Sequence, residues 1–67
     1  MKVFVNDEAR EVAEGADLSA ALRSLGLDPG DGWAVAVNEE VAPAGSWDSR
    51  KLAAGDRVLL LRAAQGG

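Results

Sequence analysis

The chain has no cysteine and no histidine among its 67 residues. Without cysteine there is no disulfide, no thiolate metal site and no thiol nucleophile. Without histidine, the usual general base near neutral pH and the commonest metal ligand are both missing. Ser19, Ser24, Ser46 and Ser49 therefore have no imidazole to activate them. Long apolar runs are also absent. Nothing approaches the roughly 18 residues of a membrane span. Lys2, Asn6 and Asp7 interrupt the start too early for a signal peptide. A cytoplasmic protein without membrane contact is the expectation. Basic residues number 7 and are scattered, and the net charge is −4. Binding a phosphate backbone needs a basic patch, so nucleic acid is not an expected partner.

What is present fits one small folded domain. Apolar residues make up 48% of the chain and charged residues 27%, an ordinary globular balance. A chain this short buries only about 60% of its unfolded surface. Its apolar core must therefore supply the stability unaided.

The apolar pattern alternates between strand and helix periods. Lys2 to Val5 places Val3 and Val5 on one face and Phe4 on the other. Asn6, Asp7 and Glu8 form a turn, and Ala9 to Val12 a return strand. Glu14-Gly15 ends the hairpin. Asp17 is a helix N-cap. Leu18, Ala21, Leu22 and Leu25 then share a helical face, and Gly26 stands at the C-cap. Asp28 to Gly32 is a loop, followed by a strand from Trp33 to Asn38 with Val35 and Val37 inward. Glu39-Glu40 turns the chain into a short edge segment, Val41 to Pro43. Ser46 to Lys51 is irregular, and Ala54-Gly55-Asp56 is a second sharp turn.

The last strand, Arg57 to Arg62, places Val58 and Leu60 inward and Leu59 and Leu61 outward. It is the most apolar strand, as expected of one flanked on both sides. A hairpin, a crossing helix and two later strands predict an α+β fold. The expected architecture is the ubiquitin-like β-grasp, a mixed sheet wrapped over one main helix with the first and last strands parallel in its centre. Residues 1–62 form the domain and residues 63–67 a flexible tail. The expected core is Val3, Val5, Leu18, Leu22, Leu25, Val35, Val37, Val58 and Leu60. Trp33 and Trp47 are expected as packing residues, with their indole N–H groups satisfied at an edge.

The carboxylates fall mostly in turns and at the helix start. Glu39-Glu40 has the form of an acid/base pair, but an exposed turn offers no burial to shift a pKa. Gly55-Asp56 lacks the length and the lysine of a phosphate loop. An enzyme is not expected, and no residues are assigned to catalysis or to a metal. The remaining candidate is the end of the chain, Ala63-Ala64-Gln65-Gly66-Gly67. A terminal carboxylate becomes a good electrophile once AMP is attached to it. A tail of small residues slides into a narrow ATP site and adopts the backbone angles needed there.

Val3-Phe4-Val5-Asn6, Val35-Ala36-Val37-Asn38 with acidic residues after it, Pro43, Trp47, Leu52, Gly55-Asp56, Val58 and Gln65-Gly66-Gly67 occur in this order. In this the chain resembles the ThiS family, the sulfur carriers of thiamine biosynthesis. Leu59 and Ala64 depart from the family, which often has an acidic or polar residue at the first position and valine at the second. The resemblance implies that a ThiF-like adenylyltransferase, using ATP and Mg, forms an acyl-adenylate on Gly67. Sulfur from a donor such as a cysteine desulfurase then replaces AMP and leaves a thiocarboxylate. Thiazole synthase (ThiG) takes that sulfur into the thiazole ring. The carrier is then a protein co-substrate with no bound cofactor, and a monomer when free. Ala64, Gln65 and Gly66 would enter the partner's active site behind the sulfur-carrying Gly67.

Phe4, Leu59 and Leu61 should form an exposed apolar patch near the tail, of the kind that marks an interaction site. It is the expected dock for the adenylyltransferase. Arg62 is a candidate anchor for the tail on an acidic surface. The residues also admit a sulfur carrier of another pathway (the molybdopterin-synthase small subunit type), a ubiquitin-like protein tag, or a binding module.

Overall fold

A computed structural model of the chain describes residues 1–27 and 32–62. The expected loop at Asp28–Asp31 and the tail from Ala63 to Gly67 lie outside the described residues. The elements run β1 (Lys2–Val5), β2 (Glu8–Glu11), α1 (Leu18–Ser24), β3 (Trp33–Val37), β4 (Glu40–Ala42), a 3₁₀ turn (Ala44–Ser46) and β5 (Arg57–Arg62). They form a 5-stranded sheet in the order β2-β1-β5-β3-β4. β5 runs parallel to β1 and antiparallel to β3. This is the β-grasp arrangement expected from the sequence, with the last strand in the centre.

The first hairpin turn is one residue shorter than expected, and the second falls one residue earlier. The turns are Asn6-Asp7 and Asn38-Glu39, so Glu8 and Glu40 already belong to strands β2 and β4. All four turn residues have positive φ, at 49° and 70° in the first turn and 51° and 71° in the second. Positive φ at both central residues marks the type I′ turn, whose twist matches that of the flanking strands. Pro43 leaves the edge strand and caps the 3₁₀ turn instead.

The helix begins as the sequence indicates. The Asp17 Oδ1 accepts from the amide of Ala20 at 2.7 Å. The other early amides are satisfied too. Leu18 donates to the Arg50 carbonyl, Ser19 to that of Trp47 and Ala21 to that of Asp17. The irregular stretch from Trp47 to Arg50 thus completes a helix start that has no partners of its own. At the other end, Gly26 has φ 75°. Its amide donates to the Arg23 carbonyl, and that of Leu27 to the Leu22 carbonyl. This pair of bonds is the Schellman closure that a glycine permits.

The core lies between the helix and the inward sheet face. Val3, Val5, Leu18, Leu22, Val35, Val37 and Val58 are buried as expected. Leu25 and Leu60 are only partly buried and pack against this cluster. Val12, Ala21, Ala42 and Leu52 complete it. Among the described residues no buried polar side chain is left without a partner. No helix among them is long and apolar enough to cross a membrane.

The two tryptophans differ. Trp47 packs against the core and its indole N–H donates to the Ala42 carbonyl at 2.7 Å. Trp33 corrects the expectation of a packing residue, because it is 41% exposed. It sits at the last rung of the β3–β5 ladder opposite Arg62, whose guanidinium carbon lies 5.9 Å from the ring centroid. That geometry is a cation–π contact.

Candidate functional site

The outward face of the sheet follows from the pairings. Leu59 lies opposite Ala36, which lies opposite Val41, and Leu61 lies opposite Ala34. Directly opposed residues share a face. Large side chains on β4 and β5 therefore flank the small alanines of β3 and leave a depression over that strand. Leu59, Leu61 and Val41 are exposed, and Phe4 is half-buried.

The expected patch is present but runs farther along β5. Phe4 pairs with Arg57 at the start of the strand, at the opposite end from Arg62. Phe4 and Leu59 line a shallow concavity of about 260 Å³ together with Asp7, Ala36, Glu39, Arg57 and Val58. Leu61 stands outside it, two residues nearer the tail. Ala64, Gln65, Gly66 and Gly67 lie outside the described residues.

The hairpin turns hold β5 from both sides. On one side the amide of Asn6 donates to the Val58 carbonyl at 2.9 Å, and its Oδ1 accepts from the Leu60 amide at 2.8 Å. On the other, the Asn38 amide donates to the Arg57 carbonyl at 2.8 Å and its Oδ1 accepts from the Arg57 amide at 2.9 Å. The Asn38 Nδ2 also donates to Asp56. Sequence reasoning placed both asparagines in or beside turns and missed this clamp. The signal available was their shared position, directly after an apolar strand.

Glu39 and Glu40 do not converge. Glu39 sits at the turn tip, while Glu40 opens β4 and pairs with Arg50 at 3.5 Å. No group of three or more potential metal ligands occurs among the described residues.

The model of the ThiS family matches residues 3–67. The chain belongs to the ThiS family. The Escherichia coli (strain K12) sulfur carrier protein ThiS is 30% identical over 67 residues, covering 100% of both chains. The fold is likewise similar to the crystal structure of the thiamine biosynthesis protein ThiS from Geobacter metallireducens. That likeness has a TM-score of 0.86 at 28% identity and covers 100% of each chain. The solution structure of a thiamine biosynthesis protein from the same organism matches with a TM-score of 0.74, again at 28% identity, over 100% of this chain and 88% of that one. In ThiS terms, β5 is the strand that leads to the Gly-Gly end, and the outward face described above borders it.

Proposed function

We propose that this ThiS-family chain is a sulfur carrier of thiamine biosynthesis, a protein co-substrate whose working group is the carboxylate of Gly67. One observation carries the reading: the similarity to a protein named as a sulfur carrier spans the whole chain and includes Gly66-Gly67. A ThiF-type adenylyltransferase, with ATP and Mg, joins the Gly67 carboxylate to AMP and releases pyrophosphate. A sulfur nucleophile derived from a donor such as a cysteine desulfurase then attacks the acyl carbon. AMP leaves and an acyl disulfide to the donor protein forms. A second thiol of a partner attacks its S–S bond, is oxidised to a disulfide, and releases the thiocarboxylate that a ThiG-type thiazole synthase consumes.

The chain's own part is physical. Five residues follow Arg62. Extended, they reach about 17 Å at roughly 3.3–3.6 Å each. Small residues let that strip enter a narrow site, and the absence of cysteine leaves no internal thiol to capture the activated end. The outward face, with Phe4, Leu59 and Leu61, docks the adenylyltransferase while the tail reaches its ATP site.

Intact mass of the protein from its native host tests the reading. The expected result is a fraction heavier by the exchange of one oxygen for sulfur, mapped to Gly67. A chain extended by one residue after Gly67 should lose that fraction. Stable isopeptide adducts without any thiocarboxylate would overturn the carrier in favour of a protein tag.

A further inference from the structure

Asp7 and Glu39 occupy equivalent places in the two hairpins. Each is the second central residue of a two-residue turn, at φ 70° and 71°. Glycine is the favoured residue there, because a Cβ strains the left-handed backbone. The asparagines before them hold β5, which explains their presence. Nothing within the fold explains the carboxylates. Among the described residues neither side chain makes a hydrogen bond or an ion pair. Asp17, Asp56, Glu8 and Glu40, by contrast, all have such partners, while Asp48, which has none among the described residues, lies outside the concavity of Phe4 and Leu59.

Their placement supplies a reason. The two turns bond to β5 at Val58 and Arg57, on opposite edges of that strand. Asp7 and Glu39 directly precede β2 and β4, the strands farther from β5. Both line the concavity whose apolar wall is Phe4 and Leu59. Arg57 lines it too, but forms no ion pair with either. Two carboxylates against one guanidinium leave the rim acidic.

We propose that Asp7 and Glu39 are an electrostatic docking pair, which seats basic side chains of the adenylating partner on either side of the Phe4–Leu59 floor. The proposal rests on the docking reading given above and adds the partner's charge. The partner's complementary surface is an apolar side chain between two basic ones. Charges at the edge of an interface set encounter rate and register more than they set total affinity. Keeping carboxylates at positions that favour glycine is then a cost in stability accepted for recognition.

The experiment uses Asp7→Gly, Glu39→Gly and the double variant of the full chain. A ThiF-type adenylyltransferase and ATP are the probes, and pyrophosphate release is the readout. Each variant should melt at a higher temperature than the parent, so weaker docking will not reflect misfolding. The double variant should raise KM for the carrier about tenfold, leave kcat unchanged, and flatten the salt dependence of kcat/KM. An unchanged KM and salt dependence, alongside impairment by Leu59→Asp, would overturn the charge pair and leave the apolar dock standing. If Leu59→Asp is also without effect, the dock itself falls and the proposal with it. A lower melting temperature in the glycine variants would overturn the argument from backbone strain.

Discussion

The side-chain oxygen of Asn6 accepts a hydrogen bond from the amide of Leu60 at 2.8 Å, joining residues 54 positions apart. The β1–β5 ladder contains only the pairs Phe4↔Arg57 and Val5↔Val58. Asn6 extends that short pairing by a further bond, made by a side chain after the backbone has turned away.

Replacing Asn6 by glycine keeps the positive φ and removes only the side chain. Asn6→Gly should therefore destabilise the fold by about 0.5–1.5 kcal/mol, the ordinary net worth of one hydrogen bond. Urea denaturation measures it. The neighbouring Asp7→Gly should change stability in the opposite direction, and the contrast separates clamp from strain.

Asp17 satisfies a helix amide that has no other partner. Asp17→Ala should cost about 1 kcal/mol, the usual loss at an N-cap. The same denaturation curve reports it, with a lower midpoint and an unchanged slope.

Leu22 is 3% exposed and sits at the centre of the helix face. Leu22→Ala removes core volume that the sheet above cannot refill. The expected loss is about 2–5 kcal/mol, a large share of the stability of a domain this small. Calorimetry should show a sharply lowered melting temperature.

Leu59 is 43% exposed and lines the concavity beside Phe4, the proposed dock. Leu59→Asp should leave the melting temperature nearly unchanged, because surface changes of this kind move stability by about 0.5 kcal/mol or less. KM for the carrier in adenylation should rise about tenfold or more, as for a buried contact at an interface. Equal kinetics for the two proteins would remove Leu59 from the dock.

The sequence made the helix legible to the residue at both ends, because Asp17 and Gly26 are chemically distinctive caps. The central place of β5 was legible from Val58 to Leu61, whose apolar run fits a strand with neighbours on both sides. The first hairpin turn was drawn one residue too long and the second misplaced by one residue, because neither contains the glycine that normally marks a type I′ turn. Val12, Ala42 and Leu52 were missed as core, since Val12 and Ala42 stand just outside or at the end of a strand and Leu52 in the loop before β5, where no periodicity points inward. Trp33 was misjudged for a related reason. Its alternation matches the inward face, but the ladder carries it to the end opposite Arg62, where it remains exposed. On the outward face, the direction of Phe4, Leu59 and Leu61 followed from alternation. Their spread along β5 depended on a register that only the folded sheet reveals.

β5 lies between β1 and β3 and has no sheet contact except through them. Until this strand is made, the nascent chain holds two separate hairpins and a helix, and an isolated hairpin is marginal in water. The sheet can close only when Arg57 to Arg62 have emerged from the ribosome. Completion of the fold thus waits on β5, and a polypeptide that lacks this strand has no stable core to protect it from proteolysis.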